Sequence, residues 1–282
     1  MQIERARELG LCYGVRRAID MLREAVAKHG PLETLGPVAH NRVLVHELTA
    51  IGVKSVDSLD LIRGPVVVIS AHGVAPSVTR ELEERGLTIV DTTCPTVARA
   101  QRVAEALANE GFTIVIFGDA DHTEVKGLLG WAGERSMASL DVAGLPLEGP
   151  VKAFLRVAAI SQTTQRLAEF TSFVQELCGR LLPEAAELRV INTLCGATQR
   201  RQESAAELAR RVDLMFVIGG HHSANTRRLA DTCSALVETY HIETADEIEE
   251  ARVKGKRHVG ITAGASTPDS SIELVEQRLR GL

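Results

Sequence analysis

The sequence predicts an α/β protein built from mostly parallel sheets, and three observations lead to that prediction. Short runs rich in valine and isoleucine alternate with helix-like stretches along the chain. The apolar runs are continuous, which is typical of parallel strands covered on both faces. Three cysteines, Cys12, Cys94 and Cys195, each stand where an apolar run gives way to a helical pattern. This repeated order predicts three αβα modules around a common centre.

The individual elements follow from local signals in chain order. The N-terminal strand before Cys12 is predicted to pair into the last module. After Cys94, apolar residues recur near a period of 3.6 up to Ala108, Pro95 suits the first helical position, and Gly111 ends the helix. The predicted strands occupy 65–70, 87–91, 112–118, 188–192, 214–220 and 258–262, with a further strand-like run at 152–160. The predicted modules are 14–95, 96–193, and 194–282 together with 1–13.

Composition excludes several classes of function. The chain has 282 residues, of which 45% are hydrophobic, and its net charge of −5 leaves no basic surface for nucleic acid. No apolar stretch approaches the roughly 20 residues that span a bilayer, and the N-terminus lacks the layout of a signal peptide. A cytoplasmic location is therefore expected. Five cysteines, an odd number, favour metal binding or catalysis over a disulfide framework.

The three junction cysteines point to an iron–sulfur cluster. Clusters prefer thiolate ligands, and three cysteines on a [4Fe–4S] cluster leave one iron open for chemistry. A helix N-terminus also lowers the pKa of a thiol, which favours the ligand form. Structural zinc remains an alternative, although its usual Cys-x-x-Cys spacing is absent, and so does a role as small buried apolar residues. Cys178 and Cys233 lie inside helical patterns and are predicted to belong to the core.

Polar loops follow several of the predicted strands. Hydrogen-bond donors flanked by glycine at such loops, together with helix N-termini, favour an anion such as phosphate or diphosphate. Each histidine taken alone fits better as a loop residue satisfied by backbone or water. The donors are His40, Asn41, His72, His122, Ser223, Asn225 and Ser266.

Two further residues have an ordinary interpretation and a functional one. Glu124, two residues after His122, could have a raised pKa beside an apolar strand end and donate a proton. Residue chemistry alone favours a solvated acid at a helix start. Thr163 follows a strand-like run, and residue chemistry alone favours a helix N-cap there.

Nine ordered motifs, spread nearly end to end, resemble those of the 4-hydroxy-3-methylbut-2-enyl diphosphate reductases, the LytB-type iron–sulfur reductases of the non-mevalonate isoprenoid pathway. They include all three junction cysteines, which makes the resemblance specific. The motifs are GLCYGV (10–15), LGPVAHN (35–41), SAHGV (70–74), DTTCP (91–95), HTEVKG (122–127), SQTTQ (161–165), INTLCGATQRRQES (191–204), GGHHSANTRRL (219–229) and TAGASTPD (262–269).

The resemblance implies a pseudo-threefold trefoil of αβα modules around a [4Fe–4S] cluster. It assigns Cys12, Cys94 and Cys195 as the ligands and leaves the fourth iron open. It implies reductive dehydroxylation to isopentenyl and dimethylallyl diphosphate, with electrons from a ferredoxin or flavodoxin-type donor. It makes Glu124 the proton source, places Thr163 near the substrate hydroxyl, and counts His122 as catalytic. The residues implied to hold the diphosphate are His40, His72, His122, Ser223, Asn225 and Ser266, and Thr163 is implied to bind the substrate at its hydroxyl end.

The chain departs from the family pattern around the anion and proton-donor loops but keeps Glu124 and the cluster ligands. The departures are Tyr13, the loop 119–121, Thr123, His221, His222 and Ala224.

Two other functions remain open. One is a non-redox dehydratase or condensing enzyme in which the cluster serves as a Lewis acid, similar in plan to quinolinate synthase, and it would need no electron donor. The other is an iron–sulfur sensor protein, which would not bind diphosphate.

Overall fold

The computed structural model describes residues 1–39, 41–146, 155–182 and 185–282. The chain divides into two compact units, Met1–Asp57 with Gly196–Leu282 and Ser58–Cys195. Every described strand pairing is parallel, and helices connect the strands, which confirms the predicted α/β fold class. The three-module boundaries and the trefoil around a cluster stay predictions.

The first unit contains a four-stranded sheet and one further strand pair. The strands are β1 (Gln2–Arg5), β2 (Leu32–Leu35), β3 (Val53–Val56), β10 (Leu214–Ile218), β11 (Thr239–Ile242) and β12 (His258–Ala263). The sheet has the order β1-β12-β10-β11, and β2 pairs with β3. Gln2 lies opposite His258, so the N-terminal strand pairs into the C-terminal part of the chain, as predicted.

Helices cover both faces of this four-stranded sheet. The helices of the unit are α1 (Tyr13–His29), α2 (Arg42–Ala50), α7 (Gly196–Ala209), α8 (Ala224–Ser234), α9 (Glu250–Val253) and α10 (Asp269–Arg280). Along β10, Phe216 joins the cluster that contains Ile272 of α10, whereas Met215 joins the cluster that contains Leu208 of α7 and Leu229 of α8. All five side chains of β10 are buried, and each large one contributes about 1.5–3 kcal/mol of transfer free energy.

The second unit has the same layered construction. Its strands are β4 (Val66–Ile69), β5 (Thr88–Asp91), β6 (Thr113–Phe117), β7 (Ser136–Ser139), β8 (Arg156–Ser161) and β9 (Glu187–Val190). Strands β7-β6-β8-β9 form one sheet, and β4 pairs with β5. Its helices are α3 (Pro76–Glu84), α4 (Pro95–Asn109), α5 (Thr123–Ala132) and α6 (Leu167–Leu181). Along β6, Ile116 faces α4 and α5, whereas Phe117 faces α6.

The six predicted strands at 65–70, 87–91, 112–118, 188–192, 214–220 and 258–262 are confirmed within two residues at each end. Of the strand-like run at 152–160, residues 152–154 lie outside the described residues, and β8 contains 156–160. The helix after Cys94 is also confirmed, with Pro95 in its first turn and Gly111 just beyond it at φ 85°. Four strands were not predicted, namely β2, β3, β7 and β11. Each has only four residues, and polar side chains interrupt the apolar run, so the local pattern is too short to stand out.

The helices in the part of the chain that the structure describes include none with the length and apolar character needed to cross a bilayer.

Candidate functional site

The three junction cysteines occupy equivalent positions. Each follows a strand with a parallel neighbour, and each comes directly before a helix: Cys12 follows β1 and begins α1, Cys94 follows β5 and begins α4, and Cys195 follows β9 and precedes α7. Cys12 and Cys94 are the N-cap residues of their helices. The prediction of one cysteine at each strand-to-helix junction is confirmed.

A repeated backbone hydrogen bond fixes each cysteine to the loop that follows the neighbouring strand. The Cys12 N–H donates to the Ala265 carbonyl at 3.0 Å, the Cys94 N–H to the Ala71 carbonyl at 3.0 Å, and the Cys195 N–H to the Thr163 carbonyl at 2.8 Å. Each acceptor lies two residues beyond the end of its strand, β12, β4 or β8. These three loops also carry Ser266, His72 and Thr163. Each cysteine is therefore tied to a loop with a predicted substrate residue.

The loop before Cys195 has an additional link to β8. The Thr193 hydroxyl accepts the Ser161 N–H at 2.8 Å and donates to the Ser161 carbonyl at 2.5 Å. Thr193 is 1% exposed, so these bonds are shielded from water. These two bonds from the Thr193 side chain take the place of the backbone hydrogen bonds to β8 that end with β9. They hold the cysteine loop against the strand that leads to Thr163.

A buried arginine supports the loop before Cys12. Arg201 on α7 is 4% exposed, and its Nη2 donates to the Gly10 carbonyl at 2.8 Å. Nothing in the run TQRRQES singles it out, because that run resembles the solvated face of a helix. Arg201 and Thr193 are structural supports that sequence reasoning missed.

The donor set fits an iron–sulfur cluster. None of the five cysteines, all of which lie among the described residues, forms a disulfide. Cys12, Cys94 and Cys195 are partly exposed and lie at helix N-termini. Among the described residues, no group of three histidine, cysteine or carboxylate side chains is arranged to hold a single metal ion. A cluster differs from a single ion because each thiolate binds a different iron. The convergence of the three thiols on one cluster stays a prediction.

The other two cysteines differ from each other. Cys233 is buried in the core of the first unit, as predicted, and burial raises the pKa of its thiol to about 12. Cys178 on α6 is only partly buried.

Glu124 and Thr163 form an enclosed polar pair in the second unit. Glu124 Oε1 accepts the Thr163 N–H at 2.6 Å, and Oε2 accepts the Thr163 hydroxyl at 2.9 Å. Glu124 is 2% exposed and Thr163 is 3% exposed. The solvated acid that residue chemistry alone favoured is therefore wrong, although Glu124 does lie in the first turn of α5. The helix N-cap favoured for Thr163 is also wrong, because α6 begins at Leu167 with Arg166 as its N-cap.

His122 is oriented by the helix that it begins. Its Nδ1 accepts the Glu124 N–H at 3.1 Å, so the proton of a neutral ring lies on Nε2. The rings of His122 and His72 are 5.7 Å apart and nearly perpendicular. Gln162, which is fully buried, accepts the Asp119 N–H through Oε1 at 3.2 Å and so links the loop before His122 to the end of β8. His72 and His122, two of the predicted anion-binding histidines, therefore lie side by side.

Helix α5 approaches the loop that carries His72 very closely. The indole N–H of Trp131 donates to the Val74 carbonyl at 2.9 Å. A Cβ atom on Gly130 would lie 2.2 Å from the Cβ of Ala75, a distance that no relaxed structure allows. Gly130 and Trp131 therefore set the position of the His72 loop relative to the helix of His122 and Glu124.

We expect Gly130→Ala to lower the thermal midpoint by several degrees, although alanine is the better helix former, because the methyl group must displace the loop at Ala75. Gly179→Ala on α6 is the matched control, since a Cβ there meets no atom within 4 Å. That control should be neutral or stabilising by up to about 1 kcal/mol. Thermal unfolding of both variants checks the comparison, and an unchanged midpoint for Gly130→Ala would contradict the close approach.

The predicted donors of the first unit lie at loops and helix starts. Ser223 is the N-cap of α8, and its hydroxyl accepts the Thr226 N–H at 3.3 Å. The side-chain nitrogen of Asn225 is buried and has no hydrogen-bond partner among the described residues. Ser266 is 8% exposed and follows Ala265, the acceptor of the Cys12 N–H. An unsatisfied buried amide is costly unless a ligand or water accepts from it.

The remaining predicted positions are His40 and the departures from the family pattern. His40 lies outside the described residues, whereas its neighbour Asn41 is buried and accepts the Leu44 N–H through Oδ1 at 3.0 Å. Among the departures, Tyr13 is 73% exposed immediately after Cys12. His221 and His222 are exposed in the loop before Ser223.

The chain is similar to known proteins over nearly its whole length. The family model described as LytB protein matches residues 3–280. A 4-hydroxy-3-methylbut-2-enyl diphosphate reductase of Dehalococcoides mccartyi (strain CBDB1) is 47% identical, covering 98% of this chain and 96% of the relative. The enzyme of the same name from Geobacter sulfurreducens is 42% identical, covering 99% of this chain and 97% of the relative.

Solved structures agree with the sequence relatives. The structure of (E)-4-hydroxy-3-methyl-but-2-enyl diphosphate reductase, the terminal enzyme of the non-mevalonate pathway, matches with a TM-score of 0.75 and 36% identity over all of both chains. A Plasmodium falciparum reductase matches in fold with a TM-score of 0.88 and 24% identity, covering 96% of this chain and 86% of that one. Because the family model spans nearly every residue and the named relatives align almost end to end, the chain belongs to the LytB family of oxidoreductases.

Proposed function

We propose that this protein removes the hydroxyl group of 4-hydroxy-3-methylbut-2-enyl diphosphate reductively. In the balanced reaction, two electrons and two protons convert the allylic alcohol to isopentenyl or dimethylallyl diphosphate and water. The contacts of Thr163 give the strongest support, because they reach both the proposed proton donor and a proposed cluster ligand. Its N–H and hydroxyl bind the two Glu124 oxygens, and its carbonyl accepts the Cys195 N–H.

We propose that Cys12, Cys94 and Cys195 hold a [4Fe–4S] cluster with one open iron. When bound, this group supplies electrons and a Lewis acid for the departing oxygen. The three backbone hydrogen bonds from the cysteine N–H groups support this assignment, because they fix the backbone of each proposed ligand to the loop that follows a neighbouring strand. A ligand whose backbone is fixed before metal binding needs little local reorganisation on binding.

Glu124 is the proposed proton source, and Thr163 is the residue through which the proton passes. The Glu124 Oε2 and Thr163 Oγ atoms are 2.9 Å apart, and a hydroxyl can both accept and donate a proton. Both side-chain oxygens of Glu124 contact Thr163, and Glu124 is 2% exposed, so the pair is closed to bulk water.

The diphosphate would be held by neutral donors rather than by a row of lysines. The tautomer of His122 supports this role, because Nε2–H is the donor once Nδ1 accepts the Glu124 N–H. The buried, unpartnered nitrogen of Asn225 supports it as well, since a phosphate oxygen would satisfy it. His72 next to His122, Ser223 at the start of α8, and Ser266 complete the proposed set together with His40.

The enclosed position of the Glu124–Thr163 pair also limits water. Glu124, Thr163 and Gln162 are each 3% exposed or less. In such surroundings each hydrogen bond is stronger than in water, and stray protonation of a reactive carbon is suppressed.

A reconstituted protein tests the proposal directly. Anaerobic protein with reduced methyl viologen should convert the allylic diphosphate to the two isomeric products, with two viologens oxidised for each product. Loss of water from the substrate without oxidation of viologen, giving an unreduced product, would favour the non-redox dehydratase. Failure to bind the diphosphate would favour the sensor. Ferredoxin and flavodoxin, the proposed physiological donors, can then replace the viologen in the same assay.

A further inference from the structure

One acidic segment of the first unit contacts two polar loops. Residues 241–247, here called the brace, span the end of β11 and the turn that follows it. One contacted loop is 219–223, which leads to Ser223 and Asn225. The other is the start of α2, next in sequence to His40 and Asn41. Neither the sequence motifs nor the proposed chemistry gives the brace a role.

Glu247 holds the first loop through His221. Its Oε2 lies 2.9 Å from the His221 Nε2, while Oε1 accepts the backbone N–H groups of Glu243 at 2.8 Å and Thr244 at 2.9 Å. Burial raises the pKa of Glu247, but the two N–H groups and His221 outweigh that effect, so its pKa is lowered overall. The carboxylate therefore stays charged and keeps all three partners.

His241, near the end of β11, holds the same loop at its first residue. Its Nε2 lies 2.8 Å from the Gly219 carbonyl, and its ring lies 4.7 Å from the His221 ring. Burial lowers the pKa of His241, which favours the neutral ring with Nε2–H donating to the carbonyl. Loop 219–223 is thus held both at its first residue and at His221.

Glu243 holds the start of α2. Its Oε1 accepts the Arg42 N–H at 3.1 Å, and the side chain is 7% exposed. This carboxylate satisfies a helix N-terminal donor that would otherwise attract another anion. Because Glu243 also donates its own N–H to Glu247, the two carboxylates form one connected set.

The charges explain why these acids can lie beside an anion site. Each carboxylate is already compensated, Glu243 by a helix N-terminus and Glu247 by His221 and two N–H groups. Between the two loops lies a groove of about 420 Å³ lined in part by Asn41, His222 and Glu243. The acids therefore shape this region without serving as ligands of a phosphate group.

We propose that Glu243 and Glu247, acting through Arg42 and His221, are positioning residues that hold the two diphosphate-binding loops of the first unit at a fixed separation. The proposal rests on the proposed function and deepens it. It makes His221, one of the departures from the family pattern, part of substrate binding without contact to the substrate.

The test compares Glu247→Gln and His221→Asn in the cluster-loaded full chain. The glutamine oxygen can still accept the two backbone N–H groups, so the variant loses the charged link between residue 247 and His221 of loop 219–223. We expect KM for the allylic diphosphate to rise about tenfold while kcat changes less than about threefold. Iron content and visible spectrum should equal those of the wild type. Glu249→Gln is the matched control, because Glu249 is exposed in the same region and pairs locally with Arg252.

The double variant and a binding assay complete the experiment. His221→Asn with Glu247→Gln should bind no more weakly than either single variant, because one link is lost in each case. An unchanged KM in both single variants, or a loss of kcat in proportion to iron content, would overturn the proposal. Calorimetry with inorganic pyrophosphate distinguishes a failure of this proposal from a failure of the proposed function. If the wild type shows no turnover yet the variants bind pyrophosphate about tenfold more weakly, the proposed function fails and the brace stands.

Discussion

We expect Glu124→Gln to keep its cluster and to lose at least about 100-fold in kcat. Glutamine has nearly the same shape as glutamate, and its amide oxygen can still accept the Thr163 N–H that now binds Oε1 at 2.6 Å. The amide cannot supply a proton, however, so only the chemical step should suffer. The loss should therefore appear in kcat, with KM changed far less.

The control for this variant is Glu134→Gln, an exposed acid that follows the same helix. It should retain full activity, whereas Glu124→Gln should retain only the iron content and visible spectrum of the wild type. Full turnover by Glu124→Gln with intact cluster would refute the proton-donor assignment.

Replacing any one of Cys12, Cys94 and Cys195 with serine should remove most of the bound iron. The oxygen of serine is a hard and strongly basic ligand, whereas iron–sulfur clusters select soft thiolates. The backbone hydrogen bond of each cysteine does not depend on the side chain, so the local fold should survive. Iron and sulfide analysis together with the visible spectrum measure the effect, and turnover should fall with iron content.

Cys178→Ser provides the comparison, because this thiol is also partly buried but lies in α6 rather than at a strand-to-helix junction. It should bind iron as the wild type does. Equal iron content in all four serine variants would contradict the assignment of the ligands.

Sequence periodicity was sufficient for the central strands, because they are short, continuous and mostly apolar. β6 and β10 have five buried residues each, and a run of this length and composition is typical of a strand covered on both faces. The flanking strands β3 and β7 were missed for the opposite reason. Their sequences VKSV and SMAS carry polar residues, so their place in a sheet depends on pairing with β2 and β6, respectively, rather than on a local apolar run.

The site was harder to predict because its contacts join distant segments. Glu124 and Thr163 are 39 residues apart in sequence, and local chemistry alone suggested a solvated acid and a helix cap. Only the family resemblance selected the pair, and only the folded structure shows that a single residue bonds to both Glu124 and Cys195. Trp131 carried no signal, since its role depends on a backbone carbonyl 57 residues away.

Three thiolates are proposed to hold one cluster whose open iron meets the substrate, and every other assignment depends on this arrangement. Mössbauer spectroscopy of anaerobic protein enriched in iron-57, with and without the allylic diphosphate, examines it without relying on turnover. We expect a four-iron cluster in which one iron site changes its isomer shift when the diphosphate is added, while the other three stay as they were. Four equivalent iron sites whose isomer shifts stay the same when the diphosphate is added, or a single mononuclear iron, would contradict the arrangement.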